Sequence, residues 1–503
     1  MWRLWFAGAL AAIAPAAQGG HSIAAGGYHS IFVQDTGGVA VAGWNNRGQL
    51  CQPESIGDDS KAVSLLKDSL EQGVKSVVAG PYFSMLIMSD NTVKVCGAND
   101  HGQLGTGGGM QAPYPTATLR NLPGAQAVNS PVRSIAAGVN FTLFLTLDGS
   151  VWSVGQNDAG QLCNDDTQDA NFPASVFVGA KSVAAGRSHS LILAEKDNKV
   201  FACGSNAQWQ LGTNTDDQTV GKPVQVLSEV QAIAAGDAHS LFLLMNGTVL
   251  GVGDNSNGQL GIPDSVEVHR PTIIPGLKGK KIVGIAAAGN HSLFLGSLSA
   301  PENGQVWATG QNDYGQLGDD SQITKKAVVE VSSLEGPVVD MATGAFHSIF
   351  LGKDGKAYAT GLNNHGQLGL DSTDSEDRPM LVLLNAAVAI QTEHPWRVHT
   401  EQSGPPTTVT LTTTTEDDSW PGMPWWQWLL LCTCLCIPCI MVCGVFLFEP
   451  SRKRKGAAAA VGTRQDRVDA NRDWSRALEE MDLRAEESRP LVAPNGVEAI
   501  ADE

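Results

Sequence analysis

No lysine stands at the phosphate-reaching position of the glycine-rich loops of this 503-residue sequence, although those loops look at first like phosphate cradles. In GQNDYGQLG (Gly310–Gly318), Gln316 stands where a P-loop needs Lys, so no cation reaches a phosphate there. Also missing are G-x-S-x-G and H-E-x-x-H, which removes the nucleophile-elbow and zincin chemistries. Positive charge is scarce: 33 Lys and Arg face 51 Asp and Glu, a formal charge of −18. From Glu449 onward ten basic residues face twelve acidic ones, so −16 falls on the part before it. That balance argues against nucleic acid as a partner, because such binding rests on neutralising phosphates. Cysteine is limited too. Of nine, five (Cys432, Cys434, Cys436, Cys439, Cys443) crowd one apolar segment, while Cys51, Cys96, Cys163 and Cys203 are spread among repeats. This is not the framework of a small disulfide-stapled fold, and no pairing follows from the spacing.

Long apolar runs occur only near the two ends. Residues 1–16 carry Arg3, an apolar run from Leu4 to Ala14 and an A-x-A pattern at Ala14-Pro15-Ala16. They read as a secretory signal peptide, with an apolar first strand as the alternative. Residues 425–448 contain no charge and are long enough for a bilayer of roughly 30 Å. Trp425, Trp426 and Trp428 suit the headgroup layer, and Arg452–Lys455 follow where Glu416, Asp417 and Asp418 precede. The positive-inside rule then predicts a type I single-pass topology, at the cell surface or in an endomembrane, with 449–503 in the cytosol.

The intervening chain repeats itself seven times. IAAGGYHSIFV (from Ile23) recurs as VVAGPYFSMLI, IAAGVNFTLFL, VAAGRSHSLIL, IAAGDAHSLFL, IAAAGNHSLFL and MATGAFHSIFL, about 50 residues apart. Each copy is followed by a second signature: GWNNRGQLC, GANDHGQLG, GQNDAGQLC, GSNAQWQLG, GDNSNGQLG, GQNDYGQLG and GLNNHGQLG. The period is that of a four-stranded propeller blade. HSLFL reads as a buried strand, and Asp148-Gly149, Asn246-Gly247, Asn303-Gly304 and Asp354-Gly355 as two-residue hairpin turns with positive φ at both positions. In the loop that follows, Asn and Asp would satisfy turn amides while Leu anchors it in apolar space. The glycine-rich stretch is therefore structural.

These residues resemble the regulator of chromosome condensation repeat family, through A-A-G-x-x-H-S, the D-G hairpin and G-x-N-x-x-G-Q-L-G over roughly residues 22–391. The resemblance implies a seven-bladed β-propeller. It also implies guanine-nucleotide exchange on a small GTPase, a ubiquitin-ligase accessory role, or service as a binding platform. Departures are Cys51 and Cys163 for the last Gly, Trp209 for the middle one, and Phe83 and Phe141 for His.

The expected fold is all-β: a propeller (22–391), a Thr/Pro-rich stalk (392–424), one transmembrane α-helix (425–448) and a mostly disordered tail (449–503). Ring closure is expected from Arg378–Thr392, pairing with the blade begun near Ser22. His29, His189, His239, His291 and His347 lie one per blade, too dispersed for a metal, and each is expected to bond a neighbouring turn. Gln49, Gln103, Gln161, Gln210, Gln259, Gln316 and Gln367 are the matching structural residues of the second signature. Of three sequons, Asn246 sits in a hairpin and is the best glycan acceptor; Asn140 and Asn290 sit at strand entries. Cys439 and Cys443 are candidates for S-acylation. Recognition is expected in loops exceeding the repeat, Thr106–Arg133 and Gly296–Gly304. In the tail, Trp474, Leu478 and Met481 follow helical spacing, and ESRPLV (Glu487–Val492) loosely matches an acidic di-leucine signal.

The expected function is non-enzymatic recognition of a protein or glycan on one propeller face, without cofactor, in an extracellular or lumenal ectodomain. The alternative is an exchange factor with a cytosolic propeller and a small GTPase as partner. The two differ in which side of the membrane holds the propeller.

Overall fold

The computed structural model describes residues 22–35, 37–52, 59–66, 73–107, 120–121, 130–213, 215–384 and 387–388. They form seven four-stranded antiparallel sheets, each built from four consecutive strands. This is the seven-bladed propeller that the repeats imply. Among the described residues no helix is long and apolar enough to cross a membrane. The expected signal segment, stalk, span and tail lie outside the described residues, as do Cys439, Cys443 and most of Thr106–Arg133.

The fifth blade shows the pattern, with an inner strand Val230–Ala235, a second His239–Leu244, a third Val249–Asp254 and an outer Glu267–Ile273. Second strands such as His189–Ala194 and His347–Gly352 are buried from end to end. Both their faces pack on neighbouring sheets, so they read as unbroken apolar runs without alternation. Each buried Leu or Phe there contributes roughly 1.5–3 kcal/mol. Seven inner strands converge on the axis, where small side chains such as Ala25, Ala79, Ala137 and Ala235 line a channel of about 230 Å³. Outer strands such as Thr219–Leu227 are partly exposed along their length.

Sequential antiparallel strands send their turns alternately to two faces. Turns between second and third strands open on one, here called the hairpin face. Connections from inner to second and from third to outer strands open on the other, the loop face.

Two expectations need correction. In three hairpins Gly149, Gly247 and Gly355 take φ of 80–86° while Asp148, Asn246 and Asp354 do not share the positive φ; Asn303 (47°) and Gly304 (75°) both take it, as expected. Gly247 N–H donates to Leu244 O, and Leu244 N–H to Thr248 O. This is a three-residue loop, a type I turn ending in left-handed glycine, rather than a two-residue turn. Ring closure also differs. Glu376–Leu381 pairs with Ala357–Gly361 as the outer strand of its own blade, because every repeat already supplies four strands. From the described part of Arg378–Thr392, a bridge between Gln34 and Val388 and Asp35 N–H donating to Ala387 O reach the first blade.

Candidate functional site

The repeated loop is built by two side chains. Leu317 N–H donates to Asn312 Oδ1 at 2.9 Å, and Tyr314 N–H donates to Gln316 Oε1 at 3.0 Å. The same pair of bonds recurs in every blade, for example Leu50 N–H to Asn45 Oδ1 and Arg47 N–H to Gln49 Oε1. Leu50, Leu104, Leu162, Leu211, Leu260, Leu317 and Leu368 are all buried, anchoring the loops as expected. Asn and Gln do the capping that Asn and Asp were expected to share.

The five ring histidines are not gathered. Each imidazole Nε2 meets the hydroxyl of the next blade: His29 with Ser84 (2.8 Å), His189 with Ser240 (3.0 Å), His239 with Ser292 (2.9 Å), His291 with Ser348 (3.0 Å) and His347 with Ser30 (3.0 Å). Each of those hydroxyls donates in turn to the main-chain carbonyl of the first blade's Gln, as Ser240 does to Gln210 O at 2.6 Å. One hydroxyl proton serves one acceptor, so Nε2–H must be the donor to the serine. That leaves Nδ1 a buried lone pair with no partner among the described residues. A second proton would be a buried charge with nothing to accept it. Burial accordingly holds the imidazoles far below their usual range, to about 3 for His29, His239 and His347 and about 4 for His189 and His291. The expected bond exists, but to a strand serine of the next blade rather than directly to a turn. In six repeats a glycine precedes the ring, and a Cβ on Gly236 would strike the His239 imidazole. The sixth repeat has Ala288 there, with Gly289 at φ 50°.

Phe83 and Phe141 leave two junctions without this bond. The structure also contains two disulfides that the spacing did not predict, Cys51–Cys96 and Cys163–Cys203. They are equivalent: the last residue of one loop is joined to the third strand of the next blade, with Cα–Cα distances of 5.4 and 5.5 Å. Cys163–Cys203 staples a junction where Phe141 replaces His. Cys51 and Cys163 hold φ of 55° and 60°, at sites where Gly212, Gly261 and Gly318 take 63–68° in other blades. A non-glycine residue there is strained by about 1 kcal/mol, which the cross-link offsets.

One feature breaks the sevenfold pattern. On the loop face, Tyr28, Tyr82 and Phe346 follow the inner strands of blades one, two and seven, where the others have Asn140, Ser188, Ala238 and Asn290. Trp44, Tyr314 and His365 join them from the loop of the second signature. Tyr28 is the hub, with ring centroids 5.5 Å from Trp44, 6.4 Å from Tyr82, 5.8 Å from Phe346 and 5.6 Å from His365. Trp44 stacks on His365 at 4.8 Å, and Tyr314 meets Phe346 edge-on at 5.7 Å. Three of the chain's five tyrosines stand here, half-buried except Tyr314, which is exposed. The Tyr28 phenol is raised above its usual range by burial and by the phenols of Tyr82 and Tyr314. Contiguous aromatic surface with hydroxyl edges is what protein recognition sites concentrate.

Asn246 is exposed on the hairpin face, its Oδ1 accepting from Thr248 N–H. Asn140 and Asn290 are half-buried on the loop face, donating to Gln156 Oε1 (2.9 Å) and Gln311 Oε1 (3.4 Å). In Gly296–Gly304 the residues Leu298, Ala300, Pro301 and Asn303 are exposed, while Glu302 is buried and its Oε1 accepts from Lys281 N–H at 3.0 Å. Among the described residues no cluster of His, Cys, Asp or Glu could hold a metal ion.

Comparison with known proteins places these features in a family. The model of the RCC1-like domain matches residues 10–300, and that of the regulator of chromosome condensation (RCC1) repeat matches 303–351 and 354–391. The probable E3 ubiquitin-protein ligase HERC4 of Homo sapiens is 32% identical over 316 residues, covering 51% of this chain and 29% of that protein. The chain thus spans less than a third of that relative's length. The ultraviolet-B receptor UVR8 of Arabidopsis thaliana is 27% identical, covering 61% of this chain and 69% of the receptor. Regulator of chromosome condensation of Drosophila melanogaster is 29% identical, covering 58% and 54%. The solved structure of Prp20p from Saccharomyces cerevisiae, described with its binding to Gsp1p and histones, superposes with a TM-score of 0.60. It is 22% identical, covering 68% of this chain and 85% of Prp20p, and shares the fold.

Proposed function

The chain belongs to the RCC1-like repeat family, and from that premise we propose a non-enzymatic binding propeller, displayed as the ectodomain of a single-pass type I membrane protein. The observation that carries the binding role is the aromatic half of the loop face. Glutamines and loop leucines recur in all seven blades, and the clasp histidines in five, as parts of the ring itself. Tyr28, Trp44, Tyr82, Tyr314, Phe346 and His365 gather in only four adjacent blades, so the ring itself does not demand them. Recognition there is an equilibrium matter of ring burial and shape, with no bond made or broken.

The two equivalent disulfides support the compartment. Such bonds persist in oxidising surroundings and are rare in the cytosol. That favours a lumenal or extracellular propeller over the exchange-factor reading, which needs it beside a cytosolic GTPase. A glycan on Asn246 would sit on the hairpin face, leaving the aromatic half open.

A site-specific photocrosslinker distinguishes the faces on intact cells expressing the full chain. Placed at Tyr314 it should give discrete adducts that Trp44→Ala abolishes, while the same group at exposed Met245 gives none. Equal labelling from both positions, or adducts at Tyr314 indifferent to Trp44→Ala, would overturn the aromatic face as the recognition surface.

A further inference from the structure

The charge of the loop face is as uneven as its aromatics. The described residues between third and outer strands hold thirteen aspartates, no glutamate, no lysine and a single arginine, Arg47. Turns between inner and second strands add Asp237 and Arg187. Both arginines already face carboxylates: Arg47 Nη1 lies 3.3 Å from Asp100, and Arg187 pairs with Asp237. Two aspartates are met from adjoining outer strands, Asp165 by Lys222 at 2.8 Å and Asp319 by Lys325 at 3.0 Å. Around the aromatic half, Asp313, Asp371 and Asp374 are exposed on blades six and seven. Ring faces carry negative quadrupole charge, so rings and carboxylates attract the same sign. An acidic or phosphorylated partner meets repulsion there.

Resting on the recognition role proposed above, we propose that the aromatic half of the loop face docks an arginine-bearing segment of a protein partner, its guanidinium over the Tyr28–Trp44–His365 rings and its charge met by Asp313, Asp371 and Asp374. Arginine suits the surface better than lysine. Its planar, weakly hydrated head stacks on aromatic rings and still offers a fork of N–H donors to carboxylates at the rim. Apolar neighbours in the same segment would cover Phe346 and Tyr314. The opposite half has Asn140, Ser188 and Ala238 in place of the rings, and its Trp209 is already stacked on His269 at 4.3 Å.

The full chain in detergent, titrated into fluorescein-labelled twelve-residue peptides, tests this by anisotropy. One peptide carries four Arg and two Phe; its relatives replace Arg by Gln or by Glu. The Arg peptide should bind, the Gln peptide about tenfold more weakly, and the Glu peptide not at all. Trp44→Ala and the exposed Tyr314→Ala should each weaken the Arg peptide about tenfold, with thermal unfolding monitored so that a folding defect is recognised. Asp371→Asn with Asp374→Asn should weaken it and flatten its salt dependence, whereas Asp165→Asn with Asp166→Asn on the third blade should change little. Arg and Gln peptides binding alike, both lost in Trp44→Ala, would overturn the cationic ligand and leave the aromatic face standing. Arg-peptide binding that ignores Trp44→Ala and Tyr314→Ala, or no binding by any peptide, would overturn the docking site.

Discussion

His347 Nε2 lies 3.0 Å from Ser30 Oγ, a contact between side chains 317 residues apart. It is the same bond that joins His189 to Ser240 and His239 to Ser292, so the last blade meets the first as four other neighbouring pairs meet. Among the described residues the ring closes by this repeated clasp and a bridge from Gln34 to Val388, with no strand exchanged between blades.

The clasp has two ends, and they should differ in their response to mutation. Ser240→Ala strands both the His189 N–H and the Gln210 carbonyl in a dry interface, a loss of about 2–4 kcal/mol. His239→Phe removes both the ring's own donor and its orphan Nδ1, as Phe83 and Phe141 already do in two blades, and should cost less than Ser240→Ala. Chemical denaturation of the three proteins gives the comparison directly.

Acid should weaken the propeller. The unfolded chain takes up protons at its histidines near pH 6.5, whereas the folded imidazoles stay neutral until about pH 4 or 3. Stability contributed by neutral burial is thus present above pH 6.5 and is lost as pH falls towards those values. Five such groups set a slope of order 7 kcal/mol per pH unit at most. Denaturation midpoints measured from pH 7.5 to 4.5 should fall steadily, and less steeply in a protein carrying His189→Phe and His291→Phe.

Reduction tests the staples. The Cys51–Cys96 loop of about 45 residues is worth about 4 kcal/mol in the chain-entropy account. Dithiothreitol should lower the denaturation midpoint of the native protein. Cys51→Gly with Cys96→Val should forfeit part of that effect, because glycine relieves the left-handed strain at position 51. A midpoint indifferent to reductant would show that the cross-blade bonds contribute nothing.

The architecture was legible because the seven signatures repeat almost residue for residue, and HSLFL has no exposed side to interrupt its apolar run. What escaped lies between blades. The partner of His239 is a serine 53 residues away, invisible within one repeat. Cys51 and Cys96, like Cys163 and Cys203, occupy matching positions of successive repeats, but pairing them requires knowing that a loop end packs against the next third strand. The aromatic face needs both the facing of each loop and the adjacency of blades seven and one before Phe346 and Tyr28 become neighbours. Arg378–Thr392 resembled the other outer strands, and that resemblance, rather than pairing with the first blade, was the correct guide for its opening residues.

A recognition propeller on the non-cytosolic side of a membrane stands or falls on its topology. The full chain would be synthesised into microsomes and treated with protease, with and without detergent, and then with glycosidase. The propeller should be protected from protease, with a glycan shift removed by Asn246→Gln and unaffected by Asn140→Gln or Asn290→Gln. A propeller digested without detergent and bearing no glycan would contradict this topology, and would return guanine-nucleotide exchange on a cytosolic GTPase to first place.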